Sequence, residues 1–229
     1  MKKLKIITAL ILISIFILSG CQQKEEKTEV TLAPPTEKTI VLEDIEMRAE
    51  TIYPYDGIYI ERGDNENKDR VEGVYALAFT NTAEKTIKEA HLVFNDGTQD
   101  LNFRLQMLPF GKTVTVVEYD KKSAVSEELK LVDSEITYLQ EGMEDSENIR
   151  VTSDGYGALM VENRTFTDLP KVEVYYRRSY ENGTLGGPCY WVTLENMQGA
   201  EVAFPEAEYW SDHSEVVCVL IYPDLSQAQ

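Results

Sequence analysis

Histidine is scarce in this 229-residue chain, which has only His91 and His213. Cysteine is nearly as scarce, with Cys21, Cys189 and Cys218. No Cys-x-x-Cys or His-x-x-x-His pair occurs, so neither a zinc site nor any other metal or cofactor is expected. His213 and Cys218 are five apart, and that odd spacing would send them to opposite faces of one strand. Basic residues are few: 22 Lys plus Arg stand against 40 Asp plus Glu, for a net charge of −18. Nucleic-acid binding needs cations that displace counterions from phosphates, so no nucleic-acid partner is expected. The catalytic signatures Gly-x-Ser-x-Gly, the phosphate loop and the dinucleotide fingerprint do not occur. Asp212, His213 and Ser214 are adjacent, and adjacent residues cannot line up a nucleophile, a base and its orienter. "GDNENKDRVEG", from Gly63, is rich in acids and amides. Counted from Asn65 as a calcium loop, however, it puts Arg70 where the sharp turn needs Gly. It reads as a solvated hairpin loop, and the chain reads as non-enzymatic.

One long apolar run is present, Ile6 to Leu18, after the basic start Met-Lys-Lys-Leu-Lys. A helix of its 13 residues rises about 20 Å, short of a hydrocarbon core of about 30 Å. Basic start plus short apolar core is the pattern of a secretory signal peptide. Leu18-Ser19-Gly20-Cys21 resembles the bacterial lipobox. That resemblance implies cleavage before Cys21, diacylglycerol on its sulfur, and two or more acyl chains (palmitate among them) as a stable anchor. The expected location is the outer face of the bacterial cytoplasmic membrane, with the lipid bilayer as a partner through Cys21. Losing the three signal lysines leaves 19 Lys plus Arg against 40 acids, a formal charge of −21. Residues 1–20 are then signal peptide and 21–41 a lipidated tether. Gln22 to Ile40 has no aromatic residue and carries Pro34-Pro35. Its 19 residues span roughly 24 Å as a flexible coil.

Beyond Val41 the pattern is short and alternating, which indicates strands. "ALAFTNTAEKTIKEAHLVF", from Ala76, aligns without a gap on "ALMVENRTFTDLPKVEVYY", from Ala158, 82 residues later. Asn81 falls on Asn163, Leu92 on Val174 and Phe94 on Tyr176. The offset then becomes 88, placing Gly111 on Gly199, Val114 on Val202, Val116 on Phe204 and Leu131 on Val219. Six extra residues fall around "SYENGTLGGP". One strand plan used twice, with about seven strands per copy, indicates an all-β fold of two tandem immunoglobulin-like β-sandwich domains. The expected domains are 42–133 and 134–224, with 225–229 as a tail. Ser123 to Gln140 has good helix formers, but its match to "SEVVCVLIY" argues for strand.

"VEGVYALAFTNTAEKTI", "LPFGKTVTVVE" and "GGPCYWVTLENMQGAEV" resemble repeats in poorly characterised surface lipoproteins of Gram-positive bacteria. The resemblance covers most of Val71 to Tyr222, implies immunoglobulin-like repeats behind a lipid anchor, and brings no catalytic residues.

The leading expectation is a non-catalytic binding or assembly module tethered outside the cell, with a cell-wall or protein ligand. A substrate-binding lipoprotein of a transporter is the alternative, and a surface hydrolase is a third. In the repeat's phase, His91 lies between inward Ala90 and Leu92 and points to solvent. The same phase turns Tyr175 and Arg177 outward. With Tyr180 in the insertion, and Trp210 on the loop before the last strand, they make a candidate partner patch of the residue types that anchor interfaces. The competing account is that these aromatics cover their own sheet or the joint between domains. Cys189 and Cys218 are a candidate disulfide, allowed outside the cell if their Cα atoms come within about 7 Å.

Overall fold

The computed structural model describes residues 39–42, 45–58, 70–126, 128–143, 147–180, 183–184, 186–211 and 213–222. Cys21 with its lipobox, the tether up to 38, most of the loop from Gly63, Asp212, Asn182 and the tail 225–229 lie outside them. The described residues form an all-β protein of fourteen strands and antiparallel sheets, without an α-helix.

In the first half, β1 (Thr39–Leu42), β2 (Met47–Ile58), β3 (Arg70–Asn81) and β6 (Thr113–Val117) form one sheet in the order β1-β2-β3-β6. β4 (Ile87–Asn95), β5 (Asp100–Leu108) and β7 (Lys130–Tyr138) form a second in the order β5-β4-β7. Alternation sends Tyr75, Leu77 and Phe79 of β3 and Leu92 and Phe94 of β4 into one shared core. Phe79, Phe94 and Phe103 close it as a ring triangle with centroids 5.6–6.2 Å apart. Tilted and edge-on aromatic pairs of this kind add about 0.5–1.5 kcal/mol each beyond their burial.

In the second half, β8 (Ile149–Ser153), β9 (Leu159–Asn163) and β13 (Val202–Ala203) form the sheet β13-β9-β8. β10 (Leu169–Tyr180) is the centre of the other, flanked by β12 (Tyr190–Met197), β14 (Ser214–Tyr222) and the two-residue β11 (Gly183–Thr184). Ile149, Val161, Val172, Val174, Leu194 and Val219 fill the space between the two sheets.

The two halves repeat down to backbone detail. Asn81 Nδ2 donates to Lys85 O and Leu108 O, while its Oδ1 accepts from Ala83 N. Asn163 does the same with Thr167 O, Gln198 O and Thr165 N. Each Asn thus knits a strand end to its turn with three bonds, as short amide side chains do. A bulge falls between Val93 and Phe94 where β4 meets β7, and between Tyr175 and Tyr176 where β10 meets β14.

The structure corrects the register after Tyr176. Phe79 pairs Val114, whereas Val161 pairs Ala203, so the offset between copies is 89 and not 88. A one-residue slip exchanges faces, and Val202 and Phe204 are accordingly exposed rather than buried like Val114 and Val116. Ala200, not Gly199, occupies the place of Gly111, and both have positive φ (59° and 70°). Gly199 is glycine for another reason, since a Cβ there would sit 2.5 Å from the Phe166 backbone. In the last strand the offset is 85, since Phe94 pairs Leu131 and Tyr176 pairs Val216. β7 runs without a break from Lys130 to Tyr138, so the domain boundary expected at 133/134 cuts through it. β7 is strand and not helix because its partner is the edge of β4, a tertiary demand that overrides local helix propensity.

Candidate functional site

β10 has two faces. Val172, Val174 and Tyr176 point into the second core, so Glu173, Tyr175 and Arg177 point the other way. That face is not open to solvent. Met107, Leu139 and Met143 of the first half pack there with Cys189, Cys218, Leu220 and Tyr222, and Tyr175 lies against them. The described residues from Thr39 to Tyr222 accordingly fall within one compact unit.

Gln106 is the pivot of this joint. Its N–H donates to Gly187 O at 2.7 Å, its carbonyl accepts from Arg177 Nη2 and from Cys189 Sγ, and its side-chain oxygen accepts from Cys189 N at 3.4 Å. Gly186 N donates to Thr115 O at 3.0 Å. A Cβ on Gly187 would collide with the Arg104 carbonyl, so only glycine fits there. The insertion is thus pinned at Gly186 and Gly187 to β5 and β6. Between the halves the extra chain is seven residues, since Phe94–Leu101 corresponds to Tyr176–Tyr190.

Beside the pivot lies a buried charge cluster. Glu173 Oε1 pairs with Lys171 Nζ at 2.7 Å, and its Oε2 accepts from Tyr175 OH at 2.9 Å and Tyr222 OH at 2.8 Å. The Lys171 ammonium lies 4.6 Å above the Tyr222 ring. Burial alone would raise the Glu173 pKa, but Lys171 and the two hydroxyls overcome it and hold the carboxyl below its usual range. Burial, followed by the Glu173 charge and hydrogen bond, pushes Tyr175 and Tyr222 far up. The cluster is therefore one carboxylate, one ammonium and two neutral phenols, a fixed strut with no group poised to transfer a proton near neutral pH.

Three of the four candidate patch residues do not stand free on the surface. Arg177 is 5% exposed and joins the halves, and Tyr175 is half-buried. Trp210 lies on the opposite face of β10, edge-on to Tyr176 at 5.2 Å, and packs on the second core. Tyr180 ends β10 with its backbone paired to Gly183. The structure brings Tyr175 and Arg177 together and keeps Trp210 apart from them. Trp191, on the edge strand β12, takes its place. It is 43% exposed and stacks on Tyr175 with centroids 6.2 Å apart and planes at 28°. It borders an open groove of about 210 Å³ lined by Lys88, Glu89, Gln106, Met107 and Tyr175. Sequence reasoning missed Trp191, although the alternation of "CYWV" turns it outward once Tyr190 and Val192 are placed inward.

Cys189 and Cys218 are buried thiols. They stand on opposite sides of β10: Cys218 pairs Tyr175 on β14, and Cys189 precedes Tyr190, which pairs Tyr176 on β12. Two strand spacings separate them, about 9.6 Å, beyond the bridging limit of about 7 Å. Burial raises the Cys189 pKa against the opposing pull of Arg177, so the thiol stays protonated. His91 is half-buried, 3.3 Å from Asn102 Oδ1, and His213 is exposed. Among the described residues no group of three His, Cys, Asp or Glu side chains converges for a metal. No protein-family model, curated protein or solved structure matches the chain.

Proposed function

We propose that this chain is a lipid-anchored extracellular lipoprotein, held by Cys21 to the outer face of the cytoplasmic membrane. Its folded part is two tandem immunoglobulin-like sandwiches, the first running through β7 and the second starting at β8. It acts as a non-catalytic binding or assembly module at the cell surface. The reading rests on the lipobox for location and on Trp191 for function. An indole 43% exposed on an edge strand, backed by a tyrosine and bordering a groove with polar walls, is the kind of anchor that recognition surfaces use. The ligand is a cell-wall or protein surface that covers Trp191 and reaches Lys88 and Glu89. Co-sedimentation of the detergent-solubilised full chain with isolated cell walls tests it. Trp191→Ala removes binding in this reading and leaves the melting curve nearly unchanged. Equal sedimentation of the variant and the wild type refutes the Trp191 surface. Cys21→Ala separately moves the protein out of the membrane fraction, and retention there refutes the anchor.

A further inference from the structure

Arg177 is a buried cation without a counter-ion among the described residues. It is only 5% exposed, yet it makes no ion pair there in a chain with 40 acids. Nη2 is taken by the Gln106 carbonyl, and Nε is buried with no hydrogen-bond partner. Taking a charge out of water costs several kcal/mol unless a partner offsets it. A buried guanidinium N–H left without an acceptor is a donor of the kind that ordinarily takes a carboxylate or phosphate oxygen. In the first half the corresponding place is held by Asn95, which donates to Asp100 Oδ1 at 2.7 Å and needs nothing more.

What Arg177 faces supports the same conclusion. It lines a cleft of about 50 Å³ together with Pro109, Lys112, Thr113 and Glu215. A single water needs about 10–15 Å³ on this measure, so the space suits a few waters or one small anion. Lys112 comes from the β5–β6 turn of the first half and has no ion pair among the described residues; its counterpart in the repeat is Glu201, of opposite sign. Thr113 Oγ1 shares a 2.8 Å bond with Thr80 Oγ1 and becomes a donor to the cleft when Thr80 supplies the proton. Glu215 is the acid that lines the cleft, opposite Arg177 in the β10–β14 register but outside ion-pair distance.

We propose that Arg177, Lys112 and Thr113 form a binding site for a small oxyanion, a carboxylate or a phosphoryl group, which bridges the two halves beside Gln106. The site is independent of the Trp191 surface and of the lipid anchor. Its test is the thermal midpoint of the full chain in a non-ionic detergent, titrated with inorganic phosphate or with acetate against sodium chloride at matched ionic strength. A saturable rise is expected in at least one of the two. A response to phosphate alone assigns a phosphoryl ligand, and a response to acetate as well assigns a carboxylate. Arg177→Met abolishes the rise. Lys112→Ala, on an exposed turn, weakens it and serves if Arg177→Met does not fold. Glu215→Gln tightens binding about tenfold, the usual influence of one neighbouring charge on an ionic equilibrium. Midpoints that follow chloride in every salt overturn the proposal, as does a rise that persists unchanged in Lys112→Ala and Arg177→Met. A Glu215→Gln chain that melts lower in chloride and gains no anion response also overturns it, because Glu215 is then the partner of Arg177.

Discussion

The two halves share a strand plan and differ in what their sheets cover. In the first, Phe79, Phe94 and Phe103 fill the core between the sheets, and the strands of the β5-β4-β7 sheet mostly alternate between core and solvent. In the second, Val161, Tyr176 and Val192 stand at those positions, so two of the three phenylalanines give way to valine. Its central strand β10 is buried on both faces instead, by its own core on one side and by the first half on the other. A repeat can therefore keep its backbone signature, the Asn knot and the bulge, while one copy moves part of its stability into an interface. An outward face in one copy need not be outward in the other.

The comparison can be broken most strongly at the phenylalanine triangle. Phe79→Ala should cost about 3–5 kcal/mol, while Val161→Ala, which removes only two carbons, costs about 2 kcal/mol. Denaturant midpoints read the difference, and equal losses would mean the two cores are equivalent after all. The charge cluster is next. Glu173→Gln should cost about 2–3 kcal/mol at neutral pH, since it leaves Lys171 buried beside a neutral amide. The folded Glu173 pKa is lowered, so its stabilisation is complete above the unfolded value of about 4.3 and is lost as pH falls through the folded one. The gap between wild type and Glu173→Gln should therefore close with acid, whereas a gap that is constant with pH would remove the charge from the account.

Gly187→Ala should cost about 1–3 kcal/mol by driving a methyl into β5 at the Arg104 carbonyl. A neutral effect, read by the melting midpoint, would mean the pinned turn can move freely. The smallest effect separates the copies at one φ angle. Ala200 occupies the left-handed conformation that Gly111 occupies in the first half. Ala200→Gly should stabilise by about 0.5–1 kcal/mol, the left-handed penalty less the entropy cost of glycine, and Gly111→Ala should destabilise by a similar amount. Opposite signs in the two thermal shifts sharpen the comparison, and like signs contradict it.

The strand class and the Asn81–Asn163 match were legible in the sequence, because both depend on period-two burial and on turn chemistry within one copy. The correspondence between the copies after Tyr176 was misread, although the strands themselves were found, because the length of a hairpin insertion does not fix register. Gly199 looked like the partner of Gly111, although glycine is required there by contact with Phe166 and not by backbone angle. The candidate patch was half legible. Alternation correctly turned Tyr175 and Arg177 away from their own core, but it carries no information on what lies beyond a sheet. Leu139 and Met143 cover that face, and they come from the segment just after β7. Trp210 was misjudged because the loop before β14 folds back over the core face.

The joint around Gln106, Arg177 and Glu173 is expected to make the halves unfold as one cooperative structure. Both tryptophans lie in the second half; Trp210 packs on its core, while Trp191 also borders Gln106 and Met107 of the first half. The deciding measurement is the denaturation of Phe79→Ala followed at once by tryptophan fluorescence and by far-ultraviolet circular dichroism. Coupled halves predict a single transition in which the fluorescence midpoint falls as far as the dichroism midpoint, although the substitution is in the other half. A fluorescence midpoint that stays at the wild-type value while the dichroism splits into two steps would contradict the account.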